Sequence, residues 1–179
     1  MKARIETERL IIRNLEPKDY KDAYKWCSDP VVNEFVLYPL YTDEEDVRQW
    51  ILSINIDDPD TYDLCFELKK TGEVIGSGGL YYKKERNAWS LGYNLRRDMW
   101  GQGYIPEAMQ ALIAYVDKTR GIDILEGEFC IDNFKSCRVM EKLGMTYLED
   151  CTAQKLDGSK TFKCRRYQKI MKGKQNEKQ

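Results

Sequence analysis

The chain of 179 residues contains no histidine. That absence removes the Ser–His and Cys–His pairs on which most nucleophilic hydrolases depend. It also denies zinc its commonest nitrogen ligand. Cysteine is present but unpatterned: Cys27, Cys65, Cys130, Cys137, Cys151 and Cys164 are scattered, with no Cys-x-x-Cys pair. Such spacing argues for reduced core or surface thiols, not for a disulfide framework or a metal site. A dominant charge is lacking as well. With 29 Lys and Arg against 30 Asp and Glu, the net charge of −1 sets up no global field for nucleic acid or an anionic membrane. No apolar run approaches the roughly 20 residues of a membrane span. The opening Met1-Lys2-Ala3-Arg4 leads into strand-like alternation where a signal peptide would place an unbroken apolar stretch. The expectation is a cytoplasmic protein, monomer or homodimer, with no metal, nucleic-acid or membrane partner.

Nucleotide motifs are equally scarce. There is no G-x-x-x-x-G-K-[ST] run, and Gly76-Ser77-Gly78-Gly79 has Tyr81 where a dinucleotide fingerprint needs its third glycine. Those glycines read as relief of packing, or a bulge, within a strand. What remains is an ordinary globular composition, 42% hydrophobic and 33% charged, of a size for one domain. We expect that domain over residues 1–170 and a frayed tail over 171–179.

Periodicity predicts a strand over residues 5–14 and a helix opened by Pro17 and running to about Cys27. A less regular stretch follows over 31–41. Thr42, with Glu45 three residues on, predicts a capping box and a helix to about Ile54. Strands are expected over 62–69, 74–82 and 89–95, then a loop ending in glycines. Ile105, Ala108, Met109, Leu112, Ile113 and Val116 recur at spacings of three and four, which predicts an amphipathic helix to about Thr119. A strand over 124–131, a short helix over 133–143 stopped by Gly144, and strands over 147–156 and 161–170 joined at Asp157-Gly158 complete the chain. The fold class implied is α/β (α+β), with a mixed, mostly antiparallel sheet.

Chemistry concentrates where a strand end at Leu95 leads through Gly101 and Gly103 into that amphipathic helix. Glycine lets backbone approach a ligand and adopt positive φ. A helix start offers unpaired N–H groups and the positive end of a dipole, so the segment suits an anion, with pyrophosphate the obvious guest. The plainer alternative is that both glycines only shape a tight turn. Pro106 fits the first helical turn, where its missing N–H costs nothing.

Trp100-Gly101-Gln102-Gly103-Tyr104-Ile105-Pro106-Glu107-Ala108 resembles the acetyl-CoA loop, Q/R-x-x-G-x-G/A, of the GNAT superfamily of N-acetyltransferases. Asn133-Phe134-Lys135-Ser136-Cys137-Arg138-Val139-Met140-Glu141-Lys142-Leu143-Gly144-Met145 resembles that superfamily's second signature, N-x-x-S-x-x-x-x-x-K-x-G-F. Thr7-Glu8-Arg9-Leu10-Ile11-Ile12-Arg13 is similar to the T-x-R-L-x-L-R opening of the branch containing the ribosomal-protein N-terminal acetyltransferases, and Leu91-Gly92-Tyr93-Asn94-Leu95 to its fourth strand. The resemblance implies a single domain of about seven strands and four helices, splayed between strands 4 and 5. It implies acetyl-CoA as co-substrate and a primary amine, on a peptide N-terminus or a small molecule, as acceptor.

The residues implied follow motif by motif. Tyr93, Asn94 and Leu95 would offer backbone groups to pantetheine and the acetyl carbonyl. The amides of Gly101, Gln102, Gly103, Tyr104 and Ile105 would hold the pyrophosphate. Asn133 would bind pantetheine and Ser136 would lie near sulfur. Arg96, Arg97, Lys135 and Arg138 are candidates for the phosphates, with solvated surface charge as the alternative. Two departures stand out. Asp98 occupies the loop's Arg/Gln position, so its carboxylate is expected to point outward or cap the helix. Met140 occupies the place of a proton-donating tyrosine, which leaves Ser136, or a water it holds, as substitute acid. Glu128, Glu126 and Glu67 are nominated as base, Glu128 first, since an ammonium must lose a proton before direct attack through a tetrahedral intermediate. The stretch over 31–41, with Glu34, would wall the acceptor. The runner-up is a CoA-binding or regulatory module with little turnover.

Overall fold

The computed structural model describes residues 1–171. Its first element corrects the sequence reading. The single strand expected over 5–14 is two, β1 (Arg4–Glu6) and β2 (Leu10–Arg13), paired antiparallel with Ile5 opposite Ile12. Thr7 causes the break. Its amide donates to the Leu10 carbonyl at 3.0 Å, and its Oγ1 accepts from the Leu10 amide at 3.0 Å. Such a side-chain bond gives the backbone an alternative to the ladder.

A short 3-10 turn leads into α1 (Tyr20–Cys27), and Asp29 caps a four-residue α2 (Pro30–Asn33) through its bond from the Val31 amide. Helix α3 (Glu44–Ser53) is capped by Asp43, whose carboxylate accepts from the Glu45 amide at 2.8 Å; the capping box expected from Thr42 does not form. The shift is one residue, and the Thr42 carbonyl instead accepts the Tyr24 hydroxyl at 3.1 Å.

Strands β3 (Thr61–Leu68), β4 (Val74–Lys83) and β5 (Ala88–Leu95) form an antiparallel meander. Added Cβ atoms at Gly76 and Gly79 would stand 2.5 Å from the Asn94 carbonyl and 2.3 Å from the Tyr62 carbonyl. These glycines relieve packing, and the register also shifts beside Gly76: Phe66 pairs with Gly76 and Glu67 with Val74, which leaves Ile75 as the extra residue on β4. Helix α4 (Tyr104–Arg120), β6 (Ile124–Cys130), α5 (Phe134–Lys142), β7 (Thr146–Gln154) and β8 (Thr161–Ile170) follow.

Among the described residues the result is one mixed sheet of eight strands, ordered β1-β2-β3-β4-β5-β6-β8-β7, every pairing antiparallel except β5 with β6. It carries one strand more than the expected seven because the first divides, and one helix more because α2 forms. The larger core lies where Ile105, Ala108, Met109, Leu112 and Val116 of α4 meet Leu64, Phe66, Leu80 and Leu125 of the sheet. A second core packs α1 and α3 on the opposite face around Trp26, Val47, Ile51 and Cys65. Of the tail, Met171 donates its amide to the Asp123 carbonyl at 2.9 Å and packs on the larger core. The remainder of the expected tail lies outside the described residues.

Candidate active site

Strands β5 and β6 pair at only three positions, Trp89 with Leu125, Ser90 with Glu126 and Leu91 with Gly127. Beyond Leu91 the two part. Tyr93, Asn94 and Leu95 pair with β4 alone, and Phe129 and Cys130 with β8 alone. A cleft of about 760 Å³ opens in line with the parted strands, lined by Tyr93, Asn94, Leu95, Gly101, Gly103, Tyr104, Ile105, Asn133 and Ser136 among others. The structure thus brings together residues from three of the four segments singled out in the sequence; the opening segment, residues 7–13, does not line the cleft. Gln102 does not line the cleft; its side chain donates to the Asp98 carbonyl at 3.0 Å.

Gly101 and Gly103 take φ +77° and +81°, a region that costs side-chain-bearing residues energy. Gly103 is the N-cap of α4, and the first amide to enter the helix is that of Glu107, which donates to the Gly103 carbonyl at 3.2 Å. Among the described residues, no amide of residues 101–105 donates to a protein acceptor. Such orphan donors at a helix start form an anion site. Across the cleft, Lys135, Arg138 and Lys142 of α5 line the wall at helical spacing, and none forms an ion pair among the described residues. Lys135 instead rests its ammonium 3.8 Å from the centre of the Trp100 ring, spanning the two lips.

The other two cations expected near phosphate are committed elsewhere. Arg96 bonds Asp98 at 2.7 Å and Glu73 at 3.4 Å, and Arg97 bonds Asp29 at 3.2 Å; neither lines the cleft. Asp98 is therefore charge-compensated and turned outward, one of the two dispositions expected, and it caps nothing.

Asn133 is the N-cap of α5, its Oδ1 accepting from the Ser136 amide at 3.2 Å. The Ser136 hydroxyl has no protein partner among the described residues, while its carbonyl accepts the Tyr93 hydroxyl at 3.3 Å. Burial pushes the Tyr93 phenol up to about 12, so it stays protonated at neutral pH. Met140 is 1% exposed, with its terminal methyl against Gly127, and belongs to the core.

Each nominated base is held by an arginine. Glu128 takes Arg166 at 2.8 and 2.5 Å, Glu126 takes Arg86 at 2.7 and 2.9 Å, and Glu67 takes Arg13 at 2.7 Å. None of the three lines the cleft, whose own carboxylates are Glu34 and Asp132. Asp132 escaped the sequence reading, and Lys142, the lysine of the second signature, carries no role in it; its spacing from Lys135 and Arg138 on one helical face is the signal for one.

Fold and cleft together define a mixed α/β domain with an open cleft between two parting strands, amides on one lip and cations on the other. The model of the acetyltransferase (GNAT) domain matches residues 9–146, and the chain belongs to that family. An uncharacterized N-acetyltransferase of Bacillus licheniformis, p20, is 31% identical over 147 residues, covering 76% of this chain and 79% of that protein. The GNAT-family acetyltransferase from Bacillus anthracis is similar in structure with a TM-score of 0.79 at 23% identity, over 94% of this chain and 98% of that one. RimL, a ribosomal L7/L12 α-N-protein acetyltransferase solved in complex with coenzyme A, gives a TM-score of 0.79 at 19% identity, over 94% and 98%. At these identities the solved structures speak for the fold alone.

Proposed function

We propose that the protein transfers an acetyl group from acetyl-CoA to a primary amine. One observation carries the cofactor half of this reading. The amides of Gly101, Gly103, Tyr104 and Ile105 are free, two of them on glycines that leave the backbone bare. These residues line the cleft together with cations of α5 that form no ion pair among the described residues. That donor set fits a diphosphate, and the unpaired edge of β5 fits an extended pantetheine arm. RimL, which shares the fold, is solved with coenzyme A, and the reading is consistent with that.

On the acceptor side, the cleft wall is Val31, Val32, Phe35 and Val36 with the single carboxylate Glu34. An ammonium flanked by apolar atoms suits such a wall, as on a peptide N-terminus, the acceptor class in the ribosomal-protein branch that the opening motif resembles. The amine, once deprotonated, attacks the thioester directly, and a tetrahedral oxyanion collapses with loss of the CoA thiolate. Ser136 is the proton donor in this reading, directly or through water. Glu34, which carries no arginine partner among the described residues, is better disposed than Glu128 to accept the amine's proton.

Incubation with acetyl-CoA and a panel of small amines and peptides, with free thiol as readout, tests the proposal. Amine-dependent thiol release is the expected result, and Ser136→Ala slows it about tenfold or more at saturating substrates. Release that ignores the amine, across the whole panel, refutes the transferase. The core position of Met140 favours a second reading, a CoA-binding module without turnover; coenzyme A bound tightly in titration with no thiol release identifies it.

A further inference from the structure

The opening motif Thr7-Glu8-Arg9 lies far from the cleft in sequence, yet Thr7 and Arg9 converge on the start of α4. Three donors land on the Glu107 carboxylate: the Thr7 hydroxyl at 2.6 Å, the Arg9 amide at 2.9 Å and Arg9 Nε at 2.6 Å. Arg9 Nη1 reaches past them to the Gln102 carbonyl at 2.9 Å. The guanidinium carbon stands 4.2 Å from the centre of the Tyr104 ring, and Nη2 lies 3.5 Å from where a Gly103 Cβ would be. The turn carrying Arg9 is itself held. Lys69 donates its amide to the Arg9 carbonyl at 3.0 Å and its ammonium to the Thr7 carbonyl at 2.7 Å.

Two consequences follow from elementary geometry. In a trans peptide the C=O and N–H point in opposite directions. The peptide joining Gln102 to Gly103 ends on a glycine at positive φ, where backbone is free to flip. With the Gln102 carbonyl drawn toward Arg9, the Gly103 N–H of the same plane points away from Arg9. The second consequence is electrostatic. Glu107 sits in the first turn of α4, where a bare carboxylate would oppose any anion at that helix start. Arg9 compensates that charge.

We propose that Arg9 is a positioning residue for the diphosphate: it fixes the direction of the Gly103 amide through the Gln102 carbonyl and cancels the charge of Glu107. The inference rests on the cofactor reading above. A lysine cannot replace it, because a point ammonium does not span Glu107 and the Gln102 carbonyl as a planar fork does.

Titration calorimetry with coenzyme A tests this on wild type, Arg9→Ala, Arg9→Lys, Glu107→Gln and the double variant Arg9→Ala/Glu107→Gln, with folding monitored by circular dichroism. Arg9→Ala weakens binding about tenfold or more, and Arg9→Lys recovers only part of that. The double variant binds roughly threefold more tightly than Arg9→Ala, because the uncompensated carboxylate is gone. A merely structural Arg9 predicts the opposite sign, since Glu107→Gln then removes one more support. Wild-type affinity in Arg9→Ala, or weaker binding still in the double variant, overturns the inference. If Arg9→Ala does not fold, Arg9→Met, which retains contact with Tyr104, takes its place in the same comparison. A wild type that does not bind coenzyme A overturns the cofactor reading itself.

Discussion

Gly103 combines two demands that no other residue type meets together. It holds φ +81° as the N-cap of α4, and its amide is one of the donors left free at the cleft. Gly103→Glu adds backbone strain of about 1 kcal/mol and sets a carboxylate among donors arranged for an anion. Coenzyme A affinity is expected to fall at least tenfold, about 1.4 kcal/mol, in calorimetric titration; unchanged affinity means the diphosphate lies elsewhere. Glu107, one turn further on, makes a prediction in pH. Burial is the largest single influence on it and acts upward, yet the bonds from Thr7 and Arg9 together outweigh it and hold the carboxyl below its ordinary value of 4.5. A depressed carboxyl stabilises the fold above the unfolded value and loses that contribution as pH falls through the folded one. Glu107→Gln should therefore be less stable than wild type in urea at pH 7. The gap should close as the pH drops below about 4.5. A gap that stays constant down to pH 3 rules out this ionic role.

At the scale of elements, the wall proposed for the acceptor depends on a segment far away in sequence. The turn between β7 and β8 reaches back to α2: Lys155 donates to Asn33 Oδ1 at 2.6 Å, and the Leu156 amide to the Leu37 carbonyl at 2.8 Å. Asn33 is buried, so Lys155→Met leaves its oxygen without a side-chain donor, at a cost of about 1–3 kcal/mol. The expected kinetic sign is a raised KM for the amine with the KM for acetyl-CoA unchanged, because the phosphate loop is untouched. Equal changes in both would mean that the wall is not a separate element. Sequence exposes such elements unevenly. The apolar face of α4 and the glycines before it were legible because helical spacing and positive φ are local properties. The break at Thr7 was not, since β-propensity continues through it and one hydroxyl decides the turn. The nominated bases failed to reach the cleft for a related reason. Glu128 faces Arg166 directly across the β6–β8 ladder, a register that neither strand's own pattern records. The clasp of Arg9 on Glu107 spans 98 positions and was visible only as a fragment of a family motif.

At the scale of the whole molecule, the seam between β5 and β6 is a short join in the middle of the sheet, with no more residue pairs than tie the edge strand β1 to β2. Three residue pairs hold it, whereas β4 and β5 share eight. The cleft continues that seam, and its two lips carry opposite halves of the donor set: free amides at α4 and cations at α5. A ligand that engages both lips binds only the folded chain and must stabilise it. At a concentration one hundred times its dissociation constant, coenzyme A is expected to add about 2.7 kcal/mol. For a domain of this size that raises the melting temperature by roughly 5–10 °C. The shift should grow with the logarithm of ligand concentration, and hydrogen exchange should slow at the amides of residues 101–105. ATP is a useful control, because it brings phosphates to the helix start but no pantetheine arm to the edge of β5. At the same concentration it should produce a markedly smaller shift. Equal shifts would show that phosphate capture alone accounts for binding and that the parted strands take no part in it.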